Sequence, residues 1–112
     1  MTDTYERRCA ITGEKVLPTL EAAHIRAVSK EGQHSIDNGL LLRRDVHRLF
    51  DLGYATVTPD YRYRVSGRLR DDFDNGEYYR SFDGREIWLP DRVDDRPARE
   101  ALEWHTDTVF RA

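Results

Sequence analysis

A single cysteine, Cys9, stands in the whole chain, so no internal disulfide and no multi-cysteine zinc knuckle can form. No apolar run approaches the roughly 18 residues of a membrane-spanning helix. No apolar segment follows Met1, as a secretory signal would require, and the expectation is a cytoplasmic protein. Repeats and low-complexity tracts are absent, and the four prolines, at 18, 59, 90 and 97, punctuate the chain without stiffening a linker. Apolar residues make up only 38% of 112 positions, against 35% charged, which fits one small domain with a modest core and an ionic surface. The formal net charge of -3 excludes a uniformly basic nucleic-acid coat, but not a local basic site.

Charge is unevenly placed. Residues 1–70 hold 12 basic and 9 acidic residues, whereas 71–112 hold 6 and 12. Sixteen of the 18 basic residues are arginine, whose rigid fork suits phosphate. The first part is expected to meet an anion; the acidic extension, about 71–112, packs across it or carries a partner surface. Residues 20–25 and 39–42 read as short strands around a polar loop at 29–38. Asp45 is expected to cap a helix carrying Val46, His47, Leu49 and Phe50, which Gly53 stops. Residues 54–58 and 61–65 flank Pro59-Asp60 as a hairpin, with Arg62 and Arg64 on one face and Tyr61, Tyr63 and Val65 on the other. A turn at Asp83-Gly84 leads to a strand-like 86–89. Pro97 suits the first turn of a last helix whose apolar face is Ala98, Ala101, Leu102, His105 and Val109. Residues 4–9 read as a helix end or an extended entry.

Residues 21–51 carry the chemistry. They run Glu21-Ala22-Ala23-His24-Ile25, a polar loop, Asn38-Gly39-Leu40-Leu41-Leu42, then His47-Arg48-Leu49-Phe50-Asp51. His47 and Asp51, at i and i+4, share one helical face, so an imidazole nitrogen and a carboxylate oxygen can hold one divalent metal. His24 ends the preceding strand, where a neutral imidazole can take a proton from water beside a phosphate. Arg26, Arg43, Arg44 and Arg48 are the candidates for flanking phosphates. Two protein ligands leave room for water and phosphate oxygens, which suits magnesium or manganese, while imidazole also favours zinc, nickel or cobalt. Asp51 has a plainer role open to it, closing the Gly53 turn or pairing with Arg48. His34 in the polar loop is a solvent-exposed histidine or a DNA contact, and His105 is read as packing.

The order His24, Asn38, His47, with the wording AAHI, NGLLL and DVHRLFD, resembles the HNH endonuclease family. It is especially close to a cysteine-poor branch of stand-alone nucleases and nuclease halves of modification-dependent restriction enzymes. The resemblance is detailed over about residues 9–58. It implies a small α+β domain built around a ββα-metal finger at about 20–52, with an additional β-hairpin and a C-terminal helix. It also implies His24 as general base, Asn38 pinning the finger's loop, His47 as metal ligand and Asp51 as a second ligand. Two departures stand out. Many members place Asp or His immediately before the base, where this chain has Ala23; Glu21 is a weak substitute, since strand alternation sets it opposite His24. Many also carry paired cysteines for structural zinc, whereas here Cys9 is followed only by Gly13, so packing must replace that zinc.

The expectation is therefore a metal-dependent endonuclease acting on DNA, duplex by preference, with one catalytic metal. Target recognition would come from a homodimer or from a separate domain or protein. Two rival readings are a non-catalytic DNA-binding module that kept the finger, and a structural or partner-binding domain led by the acidic region. The latter would leave His24, His47 and Asp51 far apart. Restriction, toxin and mobile-element roles are not separated by these residues.

Overall fold

The computed structural model describes residues 1–27 and 35–112. His34 and most of the polar loop lie outside the described residues. β1 (Leu20–His24) and β2 (Gly39–Arg43) form an antiparallel pair whose register sets Leu20 opposite Arg43 and His24 opposite Gly39. β2 is apolar without alternation because both its faces are covered: Leu40, Leu41 and Leu42 are each at most 2% exposed. Burying each such leucine contributes about 1.5–3 kcal/mol. β1 alternates instead, with Ala23 buried and Ala22 and His24 exposed.

α1 (Arg44–Leu52) follows β2 directly and packs Val46 and Phe50, four residues apart, into the core. Its helix starts one residue before Asp45, so Asp45 lies inside the first turn and does not cap it. Of the backbone amides of α1, the Asp45 carboxylate accepts only that of the neighbouring Val46, at 3.0 Å. Gly53 ends the helix at φ +85°, and the amides of Gly53 and Tyr54 return to the Phe50 and Leu49 carbonyls.

β3 (Ala55–Val57) and β4 (Tyr63–Val65) form the second antiparallel pair, with Arg62 and Arg64 exposed and Tyr63 buried. Two short helices follow, α2 (Arg68–Phe73) and α3 (Glu77–Arg80). Residues 86–89 do not form a strand; one bridge, Arg62 to Glu86, ties them to the second hairpin. α4 (Arg99–Thr108) begins two residues beyond Pro97, which therefore precedes the helix, and buries Ala101, Leu102 and His105 against β3. The two hairpins, α1 and α4 share one core. The result is a small α+β fold with a ββα finger, an added hairpin and C-terminal helices.

The N-terminal segment is neither helical nor extended. It is a run of turns with Glu6 and Arg7 at positive φ. The turns bury Tyr5, whose hydroxyl donates to the Gly39 carbonyl at 3.2 Å. The Cys9–Gly13 turn is closed by hydrogen bonds. Gly13 N–H donates to the Cys9 carbonyl at 3.0 Å, and Cys9 N–H to the Glu14 carbonyl at 2.9 Å. The Cys9 side chain is fully buried.

Candidate active site

The start of β1, the end of β2 and the exposed side of α1 converge on a cleft of about 620 Å³ lined by Thr19, Glu21, Arg43, Arg44, Asp45, His47, Arg48 and Asp51. His47 is its centre. Helical spacing brings Asp51 one turn on, with Oδ2 3.1 Å from His47 Nε2. From the other side, Glu21 Oε1 lies 2.9 Å from His47 Nδ1. Both ring nitrogens donate at once only in the imidazolium, so Asp51 and then Glu21 raise the His47 pKa above its ordinary value, while partial burial opposes them. The Glu21 carboxyl is held below its usual range by His47 and by Arg44, whose Nε donates to Oε2 at 2.9 Å.

The arginines divide. Arg43 is spent on the protein, with Nε and Nη2 on the two Asp45 oxygens at 2.7 and 2.9 Å and the guanidinium over the Tyr78 ring. Arg44 reaches Glu21 but remains largely exposed. Arg48 is exposed on the cleft wall and makes no ion pair among the described residues. Arg26 lies over the Trp104 ring, 5.5 Å from its centroid.

His24 does not line the cleft. It stands exposed at the end of β1, on the face opposite Glu21. Buried Asn38 fixes the backbone just beyond it: Oδ1 accepts the Arg26 N–H and Nδ2 donates to the Arg26 carbonyl, both at 2.9 Å. The Asn38 carbonyl also accepts the Ile25 N–H at 3.0 Å. Ala23, at 1% exposure, faces the core. Glu21, a weak candidate from sequence, is thus one of the two carboxylates that touch His47, with Asp51. Its only sequence signal is a carboxylate placed three residues before His24.

Among the described residues no three His, Cys, Asp or Glu side chains surround one point at which a metal could sit. Two of them do suit one. Nε2 and Oδ2 at 3.1 Å are spaced as neighbouring ligands of an ion that holds each at about 2.1 Å. Glu21 on Nδ1 is then the outer carboxylate that orients such a histidine.

Comparison with known proteins bears on the fold. A family model described as HNH endonuclease matches residues 9–58. A solved structure, a modification dependent TagI restriction endonuclease, superposes with a TM-score of 0.66 at 21% identity. That match covers 98% of this chain, which spans only 36% of the length of that protein. No curated protein sequence matches the chain. No helix among the described residues is long and apolar enough to cross a membrane. The ββα finger lies inside the segment that matches the HNH endonuclease family, residues 9–58, and nearly the whole chain shares the fold of that solved structure.

Proposed function

We propose that the domain hydrolyses phosphodiester bonds in DNA, duplex by preference, with His24 as general base and one divalent metal held by His47 and Asp51. The observation that carries this reading is the Glu21–His47–Asp51 row inside a cleft walled by Arg44 and Arg48. A divalent ion bound there would supply Lewis-acid screening of the phosphate charge and stabilise the leaving oxygen. Magnesium or manganese suits the two-donor set; zinc and nickel are the alternatives.

The chain's own residues do the rest. Glu21 receives the Nδ1 proton of His47 and so presents Nε2 to the cleft, where that nitrogen must give up its proton to become a ligand. Asp51 adds a charged oxygen beside it. Arg48 and the exposed end of Arg44 hold phosphates on either side of the scissile bond. Asn38 fixes the backbone that follows His24; since His24 stands outside the cleft, its imidazole takes the proton of the attacking water where the bound phosphodiester extends from the cleft past the end of β1. With one such row among the described residues, double-strand cleavage needs two copies or two successive nicks. Target choice would lie with a second copy or with a separate recognition domain or protein.

Nicking of supercoiled plasmid tests the reading, with magnesium, manganese, nickel and zinc titrated separately and an EDTA control. Metal-dependent nicking is expected, lowered roughly 10²–10⁴-fold by His24→Ala, the usual range for losing a general base. A folded protein that shifts DNA but turns over with none of these metals is instead a binding module that kept the finger.

A further inference from the structure

A second, smaller groove of about 300 Å³ opens beside the cleft, lined by Leu49, Leu69, Phe73, Asn75, Tyr78 and Tyr79, with Gly76 at its edge. It carries the large exposed aromatic residues among those described: Phe73 is 59% and Tyr78 50% exposed. Neither ring is loose. Phe73 meets Tyr54 edge-on, with centroids 5.4 Å apart, and Tyr78 meets both Tyr79 and Phe82 edge-on at 5.3 Å. Little rotamer entropy remains to be lost on binding, so what the rings present is ready-made stacking surface. Asn75 adds a polar edge. Its Oδ1 is taken by the Gly76 N–H at 2.8 Å, which leaves the Nδ2 donors for a ligand.

Groove and cleft are continuous through two contacts. The Arg43 guanidinium, on the cleft wall, lies 5.1 Å from the Tyr78 ring centroid. The Tyr79 hydroxyl donates to Asp45 Oδ2 at 2.9 Å. On α1 the two sites are one residue apart, Arg48 lining the cleft and Leu49 the groove. A groove of this size takes a single flat ring and is too small for a helix or strand of a protein partner.

We infer that the groove is a nucleobase subsite: it receives one unstacked base of the strand whose phosphate lies in the cleft, between Phe73 and Tyr78 and against the Asn75 amide. The inference rests on the nuclease reading and adds to it a base-level contact outside the finger. Stacking makes the subsite tolerant of base identity, and it favours DNA with an unpaired or mismatched base, whose unstacking costs least.

The test is fluorescence anisotropy in EDTA with labelled duplexes that differ at one central position: a bulged adenine, the same bulge as an abasic sugar, and a fully paired control. The parent protein should bind the bulged base roughly 5- to 100-fold tighter than the abasic duplex, the worth of one base–aromatic stack. Phe73→Ala and Tyr78→Ala should each shrink that ratio, and Tyr78→Phe should keep it. A bulged 2-aminopurine should be quenched by the parent and not by Phe73→Ala. Both rings are exposed, so the variants should melt as the parent does. Equal affinity for base and abasic duplexes, or a preference that the double alanine variant retains, overturns the subsite. So does concentration-dependent self-association that these variants abolish, since the groove then joins two copies. Plasmid nicking run alongside separates the two claims: nicking without base preference defeats the subsite alone, and neither binding nor nicking defeats both.

Discussion

A carboxylate that takes one ring proton of a histidine decides which nitrogen is left for a metal. Glu21 stands in that position on His47, 2.9 Å from Nδ1. Replacing it by glutamine keeps an acceptor but removes the charge. Glu21→Gln should therefore weaken manganese binding about tenfold, the low end of the 10–100-fold cost of losing such a partner. Calorimetric titration of the folded variant measures this, and unchanged affinity would remove Glu21 from the site. Sequence parity places Glu21 opposite His24, and the structure agrees: Glu21 and Ala23 turn inward while Ala22 and His24 face out. Parity alone does not say which face the next helix covers. That depends on the β2–α1 junction at Arg43–Arg44, where the chain bends the helix back over the Glu21 face. For the same reason Arg43 reads from sequence as one more phosphate arginine, yet Asp45, two residues on, occupies its fork.

The end of α1 is held by one segment of the chain. His105 Nε2 donates to the Phe50 carbonyl at 2.8 Å, Arg111 Nε to the Leu52 carbonyl at 2.9 Å, and the Arg111 N–H to the Gly53 carbonyl at 2.9 Å. These groups satisfy carbonyls that every helix leaves unpaired at its C-terminus. Gly53 makes the fit possible, because a Cβ there would meet the Val109 carbonyl oxygen at 2.1 Å and the backbone sits at φ +85°. The left-handed conformation alone costs about 1–2 kcal/mol for other residues. Gly53→Ala should thus lose at least about 2 kcal/mol in urea unfolding and speed hydrogen exchange at the Arg111 amide. A variant with parent stability would show that residues 109–111 do not brace the helix. α1, its glycine stop and the second hairpin are legible because period and turn chemistry agree there. α2 and α3 are not, since six and four residues fall below the length at which a helix holds by itself. Tertiary contacts of Leu69 and Tyr79 form them, and no local pattern announces those contacts. The strand-like 86–89 fails for the opposite reason: its propensity is adequate, but it meets β4's neighbour through a single bridge.

Across the whole molecule, the residues lining the cleft all come from positions 19–51, so the acidic extension does not cover it. Its acids instead reach the second hairpin and its flank, Asp83 toward Arg64 and Asp72 toward Arg68, in largely exposed pairs worth little each. The titration that couples the two halves is buried. His105 is 2% exposed, stacked on Phe50 with ring centroids 3.7 Å apart, and donates Nε2–H to the Phe50 carbonyl. Its Nδ1 must then accept from the Thr56 hydroxyl, 2.7 Å away, which only neutral imidazole can do. Burial drives its pKa down to about 4, against weaker upward pulls from the Phe50 carbonyl and Asp51. The unfolded chain therefore binds a proton near pH 6.5 that the folded chain refuses until about pH 4. Stability is complete above pH 6.5 and falls as the pH drops through that window, by a total of the order of 3 kcal/mol. His47 acts in the other direction: its raised pKa adds stability that is fully present below about pH 6.5 and lost as the pH rises through its folded value. Urea unfolding in EDTA should accordingly show greatest stability near pH 6.5, with a decline toward pH 4.5. His105→Gln keeps a donor for Phe50 and an acceptor for Thr56 but cannot titrate, so it should flatten the acid side of the curve while leaving the alkaline side in place. A variant whose acid decline runs parallel to the parent's would assign that loss to the carboxylates.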